Sequence, residues 1–421
     1  MTRRVLTTNG WQEVTRRRLV AYDDEDHPGS VAACVKATGS ASVYPLDCFL
    51  GIDRLPFKAT ADAALAIALA GATCPSYRDA AARLRDDLGA SLSDVFVREV
   101  TEYVGEIVLW DDRDRAEAAV AAHDPEAIRS SRRGRRPKDG FTIFAMADGA
   151  MVGTRSEEGG TAWRENKLGV VFRSDRLVER TLDDGTVERR IGEREYVCTT
   201  EGIGAFGPRL LRAMLDNGLE DASFVCYIGD GAKWVRGLRD GVAPNATFVL
   251  DLFHLKENAM EFAQHLFAGD KSKYYPWWKA VCAELEAGRW RDVLARPEVA
   301  RYKDEDTPEG VCNLYRYVWR NRDSIDYPTY RARGFFVGSG AIESGNKTVM
   351  QERMKRAGMQ WREDCAESLL ALRAAIRSGK WESRVVPLVR GRYRTHHLLE
   401  GNVREAQRRS HVHGRRSDAS Q

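Results

Sequence analysis

From residue 140 the chain stops reading as helix. GFTIFAMADG has the apolar, β-branched and aromatic content of a strand ending in an acidic turn. WRENKLGVVFRSDRLVER and TVERRIGEREYVCTTEG follow, half-alternating and rich in Val, Phe and Tyr, as in a meander. A helix is expected around Pro208–Leu219. SFVCYIGDGAKWVRGL then reads as a buried strand running into a helix, and ATFVLDLFHLKENAMEF repeats that arrangement. Three strands, helix, strand, helix, strand is the order of an RNase H-like mixed sheet. A meander supplies its antiparallel strands, and helical crossovers return the chain to parallel ones. The expected fold is therefore an α/β core of this kind, with its first part over residues 140–254.

The surroundings divide accordingly. Residues 1–58 are poorly patterned and are assigned only as a small mixed element. Residues 59–110 read as helices: ATADAALAIALAGA is rich in Ala and Leu, and Ser76 is an N-cap for the helix that follows. Gly89 is a C-terminal stop, and Ser91 or Ser93 caps the next helix. Helix, tight turn, helix has the shape of a DNA-binding helix-turn-helix, or equally of an ordinary helical hairpin. Residues 111–139 form a charged linker, whose stretch Arg129 to Lys138 carries six basic residues and no acid. Residues 255–335 are helical and aromatic and read as an insertion, with Trp277, Trp278, Trp290 and Trp319 expected in its core. Residues 336–382 return to the α/β core through a helix that carries Glu343, and 383–421 form a basic tail.

Composition narrows the function. The 65 Lys+Arg and 62 Asp+Glu leave a net charge of +3, so a basic surface requires local clustering. No apolar run approaches the roughly 20 residues that span a bilayer, and the N-terminus lacks an apolar signal region. The eight cysteines are scattered without C-x-x-C pairs, as in reduced, buried thiols of a cytoplasmic protein. A membrane protein and a secreted disulfide scaffold are excluded.

Chemistry concentrates on a few acids. Asp148 lies in MADGAM and Asp230 at the end of FVCYIGD, while Glu343 follows the turn Gly338–Ser339–Gly340. In the expected sheet the first and fourth strands are neighbours, so two carboxylates meet and a packed helix adds a third. Mg²⁺ takes such ligands, and two ions can activate a water or a 3′-hydroxyl at a phosphodiester. Each acid also has a structural reading, as an Asp-Gly turn or a helix N-terminal acid. The motif Asp251-Leu-Phe-His254 offers Asp251 as an alternative second acid, and His254 as a group that contacts phosphate, positions a metal-bound water or hydrogen-bonds Asp251. Lys347 shares a helix face with Glu343. Lys233, Arg353, Lys355 and Arg356 are further candidates for DNA contact.

Together these motifs (IGDGAKW, VLDLFHLKEN, VGSGAIESGNKTVMQERMKRAGMQW and ESLLALRAAIRSGKW) resemble bacterial insertion-sequence DDE transposases of the Mutator-like group. The resemblance spans roughly residues 140–382. It implies an RNase H-like catalytic core, a helical insertion before the last acid, and an N-terminal helix-turn-helix that reads terminal inverted repeats. Matched by motif, the catalytic metal ligands fall on Asp148, Asp230 and Glu343, and the D-x-x-H motif on Asp251 and His254. The cofactor so implied is a pair of Mg²⁺ or Mn²⁺ ions. The partner implied is double-stranded DNA, bound by a homo-oligomer in the bacterial cytoplasm. Relatives often carry a cysteine-bearing zinc element near the N-terminus, which Cys34, Cys48 and Cys74 do not form. The leading expectation is a transposase that cleaves and joins DNA strands. Two rivals are a non-catalytic DNA-binding descendant and an RNase H-like nuclease that cleaves without joining.

Overall fold

The computed structural model describes residues 1–16, 44, 47, 50, 52, 55, 57–122, 140–156, 160–356 and 358–395. Cys34, Cys48, the stretch Arg129 to Lys138 and the tail beyond residue 395 lie outside them. The chain forms two units, Met1–Asp111 with Glu367–Gln421, and Asp112–Ala366.

The first unit opens with an antiparallel hairpin, β1 (Thr2–Thr7) and β2 (Gly10–Thr15). Three helices follow: α1 (Ala61–Thr73), α2 (Tyr77–Leu88) and α3 (Asp94–Ala122), the last continuing past Asp111, where this segment of the first unit ends. Their ends follow local chemistry. The Ser76 hydroxyl accepts from the Asp79 backbone N–H at 3.1 Å, satisfying one of the free donors at the start of α2. Gly89 ends α2 in the left-handed region at φ 59°, which costs glycine nothing. Ser93 accepts from the Phe96 N–H at 3.1 Å at the start of α3. That helix runs on through DDRDRAEAAVAA to Ala122, so the first part of the expected linker is helical. Its alanines, arginines and glutamate are good helix formers.

The second unit contains a five-stranded sheet of order β7-β4-β3-β8-β9. Its strands are β3 (Thr142–Arg155), β4 (Thr161–Arg173), β7 (Glu195–Thr199), β8 (Phe224–Gly229) and β9 (Thr247–Leu250). Between β4 and β7, β5 (Leu177–Thr181) and β6 (Val187–Ile191) pair only with each other. β4 is antiparallel to β3 and β7, whereas β8 is parallel to both β3 and β9. α4 (Ile203–Asp216) and α5 (Lys233–Val242) are the intervening helices. They cover one face, where Ile143, Ala145, Val225 and Tyr227 meet Phe206, Leu210 and Leu238. On the other face Phe144 stacks on Phe172 at 5.0 Å and meets Phe336 edge-on.

β3 departs from the expected strand end. It continues through Asp148 and Gly149 to Arg155, because β4 pairs with its whole length. At Gly149 a Cβ would lie 2.1 Å from Glu165 Oε1, the far end of a flexible side chain that would have to swing aside.

After β9 the chain is helical: α6 (Leu252–Leu266), α7 (Lys271–Glu286), α8 (Trp290–Ala295), α9 (Pro297–Ala300), α10 (Leu314–Asn321) and α11 (Tyr327–Ala332). Trp277 donates its indole N–H to Glu298 at 2.7 Å. Trp319 is 48% exposed and so departs from the expected core position: it meets Trp290 edge-on and lies under the Arg322 guanidinium. A single helical run then comprises α12 (Gly340–Gly345), a π-helical segment (Asn346–Gln351) and α13 (Glu352–Met354). α14 (Glu363–Arg377) follows. The expected tail begins with structure: α15 (Val386–Thr395) buries Val389 and Tyr393 in the first unit and pairs Arg390 with Asp62 at 2.9 Å. No helix among the described residues is long and apolar enough to cross a membrane. Cys198, Cys226 and Cys282 are buried free thiols.

Candidate functional site

The sheet register brings three aspartates into a row. β3 and β8 are last paired at Met146 and Ile228, and two further residues along each strand are Asp148 and Asp230. β8 and β9 are last paired at Gly229 and Leu250, and one further are Asp230 and Asp251. The Asp251 N–H extends the ladder, donating to the Gly229 carbonyl at 2.8 Å. Ala145, Ala147, Tyr227 and Phe248 occupy the helix-covered core. By the period of two, the three aspartates share the opposite face.

Their environments differ. Asp148 is half-buried, and burial pushes its carboxyl above the ordinary range. The charge of Asp230 adds to that rise, while the Gly149 N–H, His254 and Asn346 oppose it. Its Oδ1 accepts from Gly149 N–H at 2.7 Å and its Oδ2 from Asn346 Nδ2 at 2.6 Å. Asp230 accepts from the Ala232 N–H at 2.9 Å, and its backbone carbonyl accepts from the Tyr317 hydroxyl of α10 at 2.7 Å. Gly231 makes the turn with φ 83°, and a Cβ there would meet Asn321 Oδ1 at 2.6 Å.

Asp251 is fully buried and caps α6. Its Oδ1 accepts from the N–H groups of Phe253 at 3.2 Å and Ser339 at 2.9 Å. Its Oδ2 accepts from the His254 N–H at 3.1 Å and lies against the His254 ring Nδ1. Burial alone would raise its pKa; the donors from His254 and Ser339 hold it below the usual carboxylate range. All four acceptor positions of the carboxylate are used, which leaves none for an ion. His254 is raised to about 9, chiefly by its hydrogen bond to Asp251 against the opposing cost of burial, and further by the charges of Asp251, Asp230 and Glu257. It is therefore an imidazolium at neutral pH, within the field of Asp148 and Asp230.

The helical run from Gly340 approaches from the other side. The Ser339 hydroxyl donates to Glu343, which is exposed in the first turn of α12. Gly345 permits a close approach to the sheet, since a Cβ would lie 2.6 Å from the Tyr196 ring. Lys347 is exposed one turn beyond Glu343, and Lys233, Lys355 and Arg356 are exposed as well. Arg353 departs from the expected DNA contact. It is 1% exposed and its guanidinium lies 5.0 Å from the Trp361 ring centroid, so it packs inward.

Among the described residues no three His, Cys, Asp or Glu side chains form a group able to hold a metal ion. The three-carboxylate cluster expected of Asp148, Asp230 and Glu343 is thus not assembled in this form. The donor set fits a looser mode: Mg²⁺ is commonly held by one or two carboxylates, with waters and substrate phosphates completing its shell. Asp148 and Asp230 are hard oxygen donors with acceptor positions to spare. Asn346 and Ser339 were not among the sequence candidates. The available signal was Asn346 standing three residues after Glu343, on the same side of the helix.

No curated protein matches the chain. A family model matches over residues 40–388, which is most of the sequence, and the chain belongs to the family it describes, Uncharacterised protein family (UPF0236).

Proposed function

We propose that the chain is a DNA transposase of the DDE type, with an RNase H-like core that cleaves and joins phosphodiester strands. The observation that carries this reading is the juxtaposition of Asp148 and Asp230 on adjacent strands of the five-stranded sheet. In order of appearance those strands are arranged third, second, first, fourth, fifth, with the second antiparallel to the rest. That is the arrangement expected of an RNase H-like sheet, and the helices between β9 and Glu343 occupy the place of the insertion.

On this reading Asp148 and Asp230 would hold Mg²⁺ or Mn²⁺, which would supply an activated oxygen nucleophile and charge neutralisation at the phosphate. Asp251 is left out of the ligand set, because its lone pairs are committed to backbone and ring N–H groups. The His254 ring, held against Asp251, stands beside the pair as a donor suited to a non-bridging phosphate oxygen. Lys347, Lys233, Lys355 and Arg356 offer exposed cations for the flanking backbone. Glu343 would be the third acid, carried on the same helical run that brings Asn346 to Asp148. In the first step water attacks phosphorus and the P–O bond to the 3′-oxygen breaks, freeing a 3′-hydroxyl. In the second that hydroxyl forms a new P–O bond with target DNA as another breaks, so no energy source is needed. Helices α1 to α3 would read the element's ends.

A second reading, a DNA-binding protein without catalysis, is favoured by the lack of an assembled three-carboxylate group among the described residues. Strand cleavage and strand transfer on the element's own terminal repeats separate the two. Asp148→Asn, Asp230→Asn and Glu343→Gln should each abolish metal-dependent cleavage and leave DNA binding within a few-fold. Cleavage that survives Asp148→Asn and Asp230→Asn would end the transposase reading. Cleavage without joining would move it to a nuclease.

A further inference from the structure

The first acid is not held by its own strand alone. Asn346, the residue where α12 passes into the π-helical segment, donates from Nδ2 to Asp148 Oδ2 at 2.6 Å. The amide is 6% exposed, and its Oδ1 has no hydrogen-bond partner among the described residues. Buried amides that serve as structural cross-links satisfy both ends, because an unpaired buried carbonyl oxygen is costly. Here one end is given up to serve the other. An ionised carboxylate cannot face the amide oxygen, so the Asp148 contact dictates which way the amide points.

The backbone around Asn346 is arranged for that contact. Gly345 lets the helix approach the sheet more closely than any side chain would allow at that position. Within the π-helical segment Met350 also reaches the sheet, where its sulfur accepts from the fully buried Asn166 at 3.8 Å. Asn166 lies two residues before Leu168, the β4 residue paired with Asp148. π-Helical turns inside α-helices are rare and concentrate at functional sites.

We propose that Asn346 is a positioning residue for the Asp148–Asp230 pair, orienting the Asp148 carboxylate from the helix that also carries Glu343. The proposal rests on the reading of Asp148 and Asp230 as metal ligands. Rotation of a carboxylate about its last torsion is soft, and Oδ1 and Oδ2 of Asp148 are each held by a single N–H. Removing the Asn346 amide frees one of them.

The test uses the full chain, with Mn²⁺ as the probe, titrated by electron paramagnetic resonance, and single-turnover cleavage of terminal-repeat DNA. In Asn346→Ala the Mn²⁺ dissociation constant should rise about tenfold, the loss of one charge-assisted hydrogen bond. The cleavage rate should fall by a similar factor, with DNA affinity and thermal midpoint close to those of the parent. The exchange variant Asp148→Asn with Asn346→Asp rebuilds a hydrogen bond between the same positions. It should keep a parent-like thermal midpoint yet recover neither Mn²⁺ affinity nor cleavage. Parent-like Mn²⁺ affinity and cleavage in Asn346→Ala would overturn the proposal, as would recovery of both in the exchange variant. A parent chain that binds no Mn²⁺ would instead overturn the metal-ligand reading, and the proposal with it.

Discussion

Replacing Asp251 by Asn changes one atom at the most densely bonded point of the site, and its cost can be worked out group by group. The amide oxygen can keep accepting from Ser339 and Phe253, now at 2.9 and 3.2 Å. Its NH₂ then faces the His254 backbone N–H, which loses its acceptor. One unpaired buried N–H costs roughly 1–3 kcal/mol. The His254 ion pair is lost too, so the ring pKa should return from about 9 towards its ordinary 6.5. At about 1.4 kcal/mol per pH unit that is roughly 3 kcal/mol, which solvent reduces to about half for a ring 38% exposed. The sum is about 3 kcal/mol near neutral pH. The sign of the pH dependence follows. A raised histidine pKa contributes stability that is complete below about pH 6.5 and fades as pH rises through about 9. The destabilisation by Asp251→Asn should therefore be larger at pH 6 than at pH 9.5, by about 1–2 kcal/mol. Urea unfolding at the two pH values measures the difference, fitted as separate transitions if the two units unfold apart. The Cε1 resonance of His254 reports its titration. A variant in which His254 still titrates near 9, or whose destabilisation is the same at both pH values, would refute the reasoning.

Other perturbations separate roles that composition makes look alike. Arg353→Ala should lower stability by about 2–4 kcal/mol through lost packing on Trp361, with little change in the salt dependence of DNA binding. Lys355→Ala should do the opposite, leaving the melting temperature in place and reducing the slope of log affinity against log salt by about one. Gly231→Ala should destabilise the second unit by about 2 kcal/mol, since a side chain at φ 83° meets Asn321. A thermal midpoint equal to that of the parent would contradict the left-handed turn after Asp230.

The local signals in the sequence translated directly. Ser76 caps α2, Gly89 ends it and Ser93 caps α3, because each of these acts on backbone groups within a few residues. The strands from Thr142 onwards, and the α/β alternation after β7, were legible for the same reason: strands buried on both faces read as short continuous apolar runs that a single segment carries. Asp148, Asp230 and His254 could be picked out because they follow apolar strand patterns. Other features depended on partners distant in the chain. β3 runs on past Asp148 because β4 pairs with it to Arg155, and no property of MADGAM alone announces that. Asp251 and Asp230 look equivalent as acids after strands. Only the arrival of Ser339, 88 residues later, completes the donor set that fills the Asp251 carboxylate. Arg353 reads as one more cation in RMKR until Trp361 folds back over it. Asn346 carries no charge; its place one turn after Glu343 gives it a face but no partner, and its role exists only where a helix and a strand meet. A short-range signal is written in the residues that use it. Side-chain pairing between remote segments depends on register and close approach, which the packed sheet and helices supply together.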